Sequence, residues 1–505
     1  MKKTLFEFLE KLKSLGLVVE YSFKEDITES LIEYISYNSM DVVPGTLFAC
    51  KGAAFKKEYL DSAMEKGAIC YVSEKIITEE YNYIIVNDIR ESLSEIGRFY
   101  YDESWNKNMD LIGLTGTKGK TTTTFFINSI LESYCKDKGY AKPGLITGIH
   151  TYNGVKTYKS NNLTTPEPFE LHKVLNTCVE NGCKYLAMEV SSQALKYGRA
   201  NALNYKVGAF LNMGLDHISD MEHKDFNDYF TSKLKLFKLC DTVCINEDIE
   251  EEYLPTIKEF AYRDCKKVVT FSITKEADFF ATDIEVGIDY MKFRLHANGE
   301  EEVITVNMGG KFNVSNALAA ITITASLGIP MKNIKDGLET VKVPGRMEVF
   351  QHPLKDAKIV VDYAHNEMSY RALFDSVKEI YPDAKIAFMF GCVTGKAQNR
   401  RKIAGEIANE LADKIVLTED GGVPGESNEA VWEEILKHVS PDKDVTIVPI
   451  REEAIKHCLD VCEDGWIILM TGWSQEDYIL RDGKYVIISD IDCVKEYIEN
   501  VKKTL

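Results

Sequence analysis

From about residue 108 onward, short apolar runs alternate with amphipathic stretches. The runs DLIGLTG, KYLAMEV and VGAFLNM come first, and KIVVDYAH, KIAFMFGC, DKIVLTED, DVTIVPI and GWIILMTG follow a Val-Pro-Gly turn at 343–345. Stretches such as YRALFDSVKEIY, RRKIAGEIANELA and NEAVWEEILKHV lie between the runs and have the spacing of one-sided helices. Near-continuous apolar strands that alternate with helices predict parallel sheets covered on both faces.

The first part of the chain has a different pattern. It begins with MKKTLFEFLEKLKSLG, which reads as an amphipathic helix, and continues with the apolar runs TLFAC, AICYV and YIIVND. A chain of 505 residues is too long for one hydrophobic core. We therefore predict an α/β protein of three domains: a mixed α/β N-terminal domain (1–107), a central parallel-sheet domain (108–343) and a Rossmann-like C-terminal domain (344–505).

Composition narrows the functional class. The formal net charge of -19 argues against nucleic acid as the main partner, because neutralising phosphates needs a basic face. We find no apolar run of about 18 residues that would span a membrane. The opening helix lacks the unbroken apolar segment of a signal peptide, which favours a cytoplasmic protein. The 12 cysteines show no zinc-binding spacing, and we interpret them as buried thiols.

A glycine-rich loop carries the sharpest chemical signal. The segment GLTGTKGKTT (113–122) follows an apolar strand and precedes TTTTFFINSILESY. We interpret it as a phosphate-binding loop of the G-x-x-x-x-G-K-[ST] kind, in which backbone N–H groups and a helix N-terminus hold phosphate oxygens. The predicted nucleotide-binding residues are Gly116, Thr117, Lys118, Gly119, Lys120, Thr121 and Thr122.

Eight segments follow one another along the chain: TGTKGKTTT, LTTPEPFEL, MEVSSQAL, NMGLDH, SKLKLF, GGKFNVSNALAA, VPGRMEV and VDYAHN. In this order they resemble the Mur ligase family. The N-terminal stretch ISYNSMDVVPGTLFACKGAAFKKEYL looks most like the branch of that family that adds the third residue of the peptidoglycan stem peptide (MurE), and like its lysine-adding subgroup.

The resemblance implies an ATP-dependent amide-forming reaction. ATP phosphorylates a carboxylate of a UDP-N-acetylmuramoyl dipeptide, and a free amino acid attacks the acyl phosphate. The implied catalytic residues are Lys120, Glu189, His217 and Lys233. Thr121, Glu189, His217 and Lys233 would serve two Mg²⁺ sites, with Lys233 carbamylated to N6-carboxylysine. Lys235, two residues away, is the competing candidate for that modification.

Further contacts follow from the same resemblance. Asn313 would face adenine, with Asn316 as an alternative, and Arg346, Asp362 and His365 would contact phosphate and ribose. The UDP-substrate residues would be Ser39, Thr164, Thr165 and Ser191. The family motif around Ser39 is Asp-Ser-Arg, whereas this chain has Asn-Ser-Met, so the arginine contact is absent here.

The amino-acid pocket departs most from the family pattern. Ligases that add diaminopimelate carry Asp-Asn-Pro-Arg, and this chain has Asp-Gly-Gly-Val from Asp420. Valine cannot bind a carboxylate as arginine does, so we predict that diaminopimelate is not the substrate. Lysine is the leading choice for the added amino acid, and the divergence also leaves a different amino acid open. The pocket residues would be Lys396, Arg400, Asp420 and Glu476, with Arg401 as an alternative to Arg400. Glu419 and Glu426 would complete an acidic cluster that attracts an ε-ammonium.

Two other hypotheses remain open at this point. A different ligase on the same fold, such as a folylpolyglutamate synthetase, is one, and the block before the phosphate loop argues against it. A non-catalytic nucleotide-binding paralogue is the other, and its support is the altered amino-acid pocket. We also expect a monomer.

Overall fold

The computed structural model describes residues 2–24, 27–52, 54–160, 163–215, 218, 222–395, 399–422, 425–473, 477–481 and 484–504. Contacts within the chain divide it into two units. Residues 1–280 and 318–337 form the first unit, and residues 281–317 and 338–505 form the second. No helix of the described residues is long and apolar enough to cross a membrane.

The N-terminal part of the first unit is a five-stranded sheet with helices. Its strand order is β1-β5-β4-β3-β2, in which only β1 is antiparallel to its neighbour. The predicted opening helix is confirmed: α1 buries one apolar face and begins with a capping box between Thr4 and Glu7. The elements are α1 (Leu5–Ser14), β1 (Val18–Ser22), β2 (Tyr34–Ser36), β3 (Thr46–Ala49), α2 (Lys57–Glu65), β4 (Ala68–Ser73), β5 (Tyr83–Val86), α3 (Ile89–Tyr100) and α4 (Ser104–Asn108).

A larger, mostly parallel sheet follows in the same unit. Its strands run in the order β13-β12-β11-β6-β10-β7-β8-β9, and only β8 and β9 are antiparallel to their neighbours. The central strands are buried on both faces, as their unbroken apolar runs predict. The elements are β6 (Asp110–Thr115), α5 (Lys120–Lys138), β7 (Gly144–Ile146), β8 (His150–Tyr152), β9 (Thr157–Lys159), α6 (Pro168–Glu180), β10 (Tyr185–Glu189), α7 (Ser192–Lys196), β11 (Tyr205–Phe210), α8 (Phe226–Leu234), β12 (Cys240–Asn246), α9 (Leu254–Asp264) and β13 (Lys267–Ser272).

The second unit contains an antiparallel hairpin and a six-stranded sheet. The hairpin joins β15 to β16, and the sheet has the order β17-β18-β22-β19-β20-β21 with β17 as an antiparallel edge strand. Four further elements lie between the two sheets in sequence, near the boundary of the units: β14 (Phe279–Val286), β15 (Met291–Ala297), β16 (Glu300–Val306) and α10 (Phe312–Ser326). The remaining elements are α11 (Met331–Thr340), β17 (Glu348–Gln351), β18 (Lys358–Asp362), α12 (Glu367–Ile380), β19 (Lys385–Phe390), α13 (Asn399–Leu411), β20 (Lys414–Leu417), α14 (Asn428–Leu436), β21 (Asp444–Ile447), α15 (Arg451–Val461), β22 (Trp466–Thr471), β23 (Asp477–Arg481), β24 (Lys484–Ile488) and α16 (Asp490–Thr504).

The predicted fold class is confirmed. The described residues form three main sheets, in each of which most neighbouring strands are parallel, and the predicted strands of the central and C-terminal sheets all form. In such sheets the loops that follow the strands meet at one edge, which is where ligands bind. We therefore expect the functional residues to lie at that edge.

Candidate functional site

Three neighbouring parallel strands end at the same edge of the central sheet. Strand β6 lies between β10 and β11, with Leu114 level with Glu189 and Thr115 level with Phe210. The loops that follow these strands therefore emerge side by side. They carry the glycine-rich loop, the segment after Glu189 and the segment that begins at Leu211.

The glycine-rich loop leads directly into α5. Gly119 precedes the helix with a φ of 79°, a left-handed conformation that favours glycine. The Lys120 Nζ donates to Gly116 O at 2.8 Å and to Thr117 O at 3.3 Å. The general signature places a glycine five residues before Gly119, and that position is Leu114 here. Our reading of the full signature was wrong, and the phosphate-loop assignment depends on Gly-Lys-Thr in its strand–loop–helix context.

Asn212 fixes the glycine-rich loop from the neighbouring strand. Its Oδ1 accepts from Lys118 N at 2.8 Å, and its Nδ2 donates to Lys118 O at 3.0 Å. The Asn212 backbone carbonyl also accepts from Thr117 N at 3.2 Å. Asn212 begins the matching segment NMGLDH, but the sequence analysis assigns it no role. Its position immediately after an apolar strand was the signal that could have identified it.

Glu189 and Thr121 meet at the sheet edge. The Thr121 hydroxyl donates to Glu189 Oε1 at 2.8 Å, and Gly148 N donates to the same oxygen at 3.0 Å. Glu189 is almost fully buried, at 2% exposure. Hydroxyl and carboxylate oxygens are the ligands that Mg²⁺ prefers, so these two residues fit a magnesium site. His217, the third predicted ligand, lies outside the described residues.

Lys233 is a buried lysine beside the glycine-rich loop. Only 1% of it is exposed, and its Nζ donates to Gly116 O at 2.8 Å. The ammonium also lies 4.5 Å from the ring centroid of Tyr229. The alternative, Lys235, is exposed to solvent. The structure thus brings Lys233, and not Lys235, to the edge that holds Glu189 and Lys120.

The predicted substrate residues Thr165 and Ser191 hold the turn after Glu189. The Thr165 hydroxyl donates to Glu189 O at 3.0 Å and accepts from Ser191 N at the same distance. The Ser191 side chain accepts from Ala194 N and so caps α7. Thr165 is fully buried, whereas Thr164 and Ser191 are half-buried. Thr165 therefore shapes the site, and its two neighbours are the ones with surface to offer a ligand.

Ser39 is half-buried in the N-terminal part and its carbonyl accepts from Lys66 Nζ at 2.5 Å. A small pocket of about 150 Å³ lies close to it in sequence. Residues of β2 and of the loop after it line one side of the pocket, and residues of α6 line the other. Tyr37 bonds to Glu170 there, and its ring stacks on Phe169 at 5.4 Å.

Two cations that the sequence analysis did not select lie near this pocket. Lys51 pairs with one carboxylate oxygen of Glu167, and Arg199 Nε pairs with the other at 2.9 Å. The Lys51 ammonium also lies 3.9 Å from the Tyr37 ring centroid. These contacts tie the N-terminal sheet to α6 and to the segment after α7.

In the second unit, the predicted nucleotide contacts are engaged in local bonds. Asn313 is fully buried and donates to Gly309 O at 2.7 Å, while its Oδ1 accepts from Asn316. Asp362 accepts from Met347 N at 2.9 Å and from Ala364 N at 2.7 Å. Burial raises the pKa of the Asp362 carboxyl, and the nearby Arg346 opposes that shift.

Arg346 and His365 both lie close to the ring of Tyr363. The Arg346 guanidinium is 4.8 Å from the Tyr363 ring centroid, and the His365 ring is 4.9 Å from it. The His365 Nδ1 lies 2.8 Å from Tyr363 O. The structure therefore brings together Arg346, Asp362 and His365 around the end of β18.

The predicted acidic cluster after β20 is largely neutralised. Glu419 binds the Arg481 guanidinium, whose Nε donates at 2.9 Å. Glu426 binds Arg401 Nη1 at 2.8 Å. Neither carboxylate is therefore available for an incoming ammonium in the way we expected. Of the three acidic residues, Asp420 remains the candidate for binding an ammonium group.

Asp420 has a different environment. Its Oδ1 accepts from Gly421 N at 2.7 Å, and burial of the carboxyl raises its pKa even though the residue as a whole is half-buried. Arg400, half-buried at the start of α13, is among the cations that oppose this shift. Lys396 and Glu476, the other predicted pocket residues, lie outside the described residues.

Trp473 packs against the same loop. It is 8% exposed and belongs to a small apolar cluster with Ile479 and Ile488. A Cβ at Gly421 would lie 2.5 Å from the Trp473 ring, so only glycine permits this approach. The Trp473 ring therefore packs on the loop that carries Asp420.

Comparisons with known proteins agree with this geometry. The Mur ligase middle domain family matches residues 114–324, and the family described as Mur ligase, glutamate ligase domain matches residues 345–473. The UDP-N-acetylmuramoyl-L-alanyl-D-glutamate--L-lysine ligase of Enterococcus faecalis is 34% identical over 474 residues, which is 91% of this chain and 92% of that protein. The corresponding 2,6-diaminopimelate ligase of Clostridium tetani is 33% identical over 97% of this chain and 100% of that protein.

A solved structure has the same fold. The structure of a UDP-N-acetylmuramoyl-L-alanyl-D-glutamate--2,6-diaminopimelate ligase superimposes with a TM-score of 0.69 at 21% sequence identity. The match covers 99% of this chain and 100% of that chain.

Proposed function

The chain belongs to the Mur ligase family, and we propose that it joins L-lysine to UDP-N-acetylmuramoyl-L-alanyl-D-glutamate at the expense of ATP. This is an acid–amino-acid ligation in the cytoplasmic synthesis of peptidoglycan precursors. The observation that carries the proposal is the meeting of Lys120, Glu189 and Lys233 at one edge of the central sheet. The relative named as a lysine ligase, similar over almost its whole length, supports the choice of substrate.

The proposed reaction has two steps. A carboxylate oxygen of the UDP-linked dipeptide attacks the γ-phosphorus of ATP, and ADP leaves. The amino group of lysine then attacks the acyl carbon, and the C–O bond to phosphate breaks as the amide forms. The amine loses one proton and inorganic phosphate is released, so each amide consumes one ATP.

The glycine-rich loop would hold the phosphates of ATP. Its backbone N–H groups and the N-terminus of α5 favour an anion. Lys120, whose Nζ lies on the loop carbonyls of Gly116 and Thr117, would turn to the β- and γ-phosphates. Asn212 holds the loop in place through both ends of its amide. These hydrogen bonds would position the loop before the nucleotide binds, which would lower the entropic cost of ordering it.

Thr121 and Glu189 would hold Mg²⁺, as their oxygens fit that ion, and His217 would complete the set in a second site. A bound Mg²⁺ would offset the repulsion between the phosphates and the attacking carboxylate. We propose that the Lys233 ammonium loses a proton, and that the neutral Nζ then attacks CO₂, forming an N–C bond and releasing a second proton. The product, N6-carboxylysine, would replace a buried cation with an anion beside Glu189.

The substrate contacts carry over as proposals. Ser39, Thr164, Thr165 and Ser191 would serve the UDP-linked dipeptide. Nucleotide contacts in the second unit would come from Asn313, Arg346, Asp362 and His365. Lys396, Arg400, Asp420 and Glu476 would serve the amino acid. We also retain the division into domains at 1–107, 108–343 and 344–505 and the monomeric state.

The choice of lysine depends on the loop after β20. One relative of similar identity is named as a diaminopimelate ligase, so overall similarity does not decide the amino acid. Here the loop reads Asp-Gly-Gly-Val, and no arginine stands where a distal carboxylate would need it. Asp420 instead offers a carboxylate to an ammonium group.

Phosphate release tests the proposal. The purified protein is mixed with ATP, Mg²⁺ and UDP-N-acetylmuramoyl-L-alanyl-D-glutamate, and each common amino acid, diaminopimelate and ornithine is added in turn. We expect lysine to stimulate release and to give a product with the mass of the lysine adduct. Stimulation by diaminopimelate alone would refute the specificity, and silence with every amino acid would refute the ligase itself.

A further inference from the structure

A buried polar chain lies beside the proposed site and is used by none of the steps above. The His223 Nε2 lies 3.0 Å from Ser192 Oγ, and its Nδ1 lies 3.3 Å from Asp228 Oδ2. His223 is fully buried, and Ser192 is 5% exposed. The three residues join the first turn of α7 to the start of α8.

Asp228 is held in place from several directions. The Lys196 Nζ donates to its Oδ2 at 2.6 Å, and Lys224 N donates to the same oxygen at 3.2 Å. These donors, with Lys196 as the largest cause, lower the pKa of Asp228. The aspartate therefore stays ionised and offers a fixed negative charge to the Nδ1 side of His223.

Tyr229 connects this chain to the proposed site. The His223 and Tyr229 rings meet edge to face at 5.2 Å. The Tyr229 hydroxyl donates to Thr117 Oγ1 at 3.1 Å, in the glycine-rich loop. The Lys233 ammonium, one helical turn later, lies 4.5 Å from the centroid of the Tyr229 ring. A shift of His223 would therefore move the ring against which both Thr117 and Lys233 are placed.

The other end of the chain reaches the substrate side. Ser192 follows Ser191, whose side chain caps α7. The Thr165 hydroxyl accepts from Ser191 N and donates to Glu189 O, and so connects Ser191 to the end of β10. The hydrogen bond between His223 and Ser192 thus sets the distance between the Ser191 turn and α8. A serine, a histidine and an aspartate in this order also occur in nucleophilic sites. Here the serine and histidine are closed off from solvent, so a substrate could not reach them.

We propose that His223 is a positioning residue that fixes Ser191 relative to Lys233 through its hydrogen bond to Ser192. The inference depends on the proposed function, because that function assigns Ser191 to the substrate and Lys233, as N6-carboxylysine, to the magnesium site. Misplacement of reacting groups by about 1 Å costs up to roughly 100-fold in rate. Loss of the link should therefore lower kcat while leaving the KM for ATP almost unchanged.

Two substitutions separate the two sides of the imidazole. His223→Asn retains a polar group on the Asp228 side and cannot reach Ser192, whereas His223→Gln can still reach Ser192 Oγ. We expect His223→Asn to lower kcat at least tenfold, and His223→Gln to keep most of it. The KM for ATP should change less than threefold in both. Rates are normalised to the sites titrated with ADP, so partial unfolding does not count as lost catalysis.

His172→Asn is the matched control. His172 is a fully buried histidine of the same unit, and it packs beside Trp105, away from the glycine-rich loop. It should keep its kcat per titrated site. Equal loss in His172→Asn and His223→Asn would overturn the positioning role and assign both effects to folding.

A double-mutant cycle tests the link itself. Ser192→Ala removes the same hydrogen bond, so the double variant with His223→Asn should be no slower than His223→Asn alone. Multiplied losses would overturn the proposal. If the wild-type protein forms no amide with any amino acid, the proposed function has failed, and the crystal structures of the wild type and His223→Asn then decide the question. An unchanged distance between Ser191 and Lys233 in those structures would overturn the positioning role.

Discussion

Replacing His172 with methionine should make the first unit less sensitive to acid. His172 lies on α6, where a Cβ at Gly97 of α3 would come within 2.7 Å of its ring. Burial, reinforced by the positive charge of Arg98, lowers the pKa of His172 to about 3. In the described part of the chain neither ring nitrogen has a hydrogen-bond partner of ordinary geometry. The histidine is therefore neutral in the folded protein at neutral pH.

The size of the effect follows from the two pKa values. The unfolded chain binds the proton with a pKa of about 6.5 and the folded protein with one of about 3, so falling pH favours the unfolded state across that interval. Between pH 7.5 and pH 5, the free energy of unfolding should fall by about 2 kcal/mol through this residue alone. Methionine cannot titrate, so the His172→Met protein should not show that part of the loss.

Urea unfolding at several pH values measures the difference. Trp105 lies 5.8 Å from the His172 ring and reports on this region, while the other three tryptophans belong to the second unit. In a background with those three replaced by phenylalanine, fluorescence follows the first unit alone. The free energy of unfolding of the wild type minus that of His172→Met should decrease with falling pH. A difference that is constant from pH 7.5 to pH 5 would refute the reasoning.

Three further predictions concern the reaction. Glu189→Gln should lower kcat about 100-fold, because removing a charge from a metal site costs about 3 kcal/mol of transition-state stabilisation; an unchanged kcat at saturating Mg²⁺ would contradict this. Lys233→Ala should abolish phosphate release and Lys235→Ala should leave it within twofold, as measured by the same assay; the reverse order would show that the wrong lysine was chosen. Asp420→Asn should raise the KM for lysine at least tenfold without changing the KM for ATP, since it removes the charge that attracts the ammonium, and equal changes in both constants would contradict that role.

Much of the fold was predictable because buried strands can be recognised from uninterrupted runs of apolar residues. The runs that form β6, β10 and β11 are apolar without interruption, which a strand needs when helices cover both faces of its sheet. Glu189 could be selected from the same pattern, because an acidic residue at the end of a buried apolar strand indicates a functional role. The burial of Lys233 could not be predicted from its neighbours, because a lysine among aromatic residues is usually exposed at its charged end.

Other features of the site needed the tertiary structure. The role of Asn212 depends on two strands that are adjacent in the sheet and far apart in sequence. The pairing of Glu419 with Arg481 and of Glu426 with Arg401 could not be read from a cluster of acids in one loop. Charge in a sequence gives no partner, and the partner decides whether a carboxylate can still bind a ligand.

The sequence by itself determined the α/β class, the strand–loop–helix unit proposed to bind phosphate and the family, because each depends on local order along the chain. Only the tertiary structure decided which lysine of SKLKLF is buried, which acids after β20 form ion pairs with arginine, and that His223 joins Ser192 to Asp228. Those are questions of burial and of contact between distant segments. Packing settles them, since the cost of burying a charge or a polar group depends on what lies beside it.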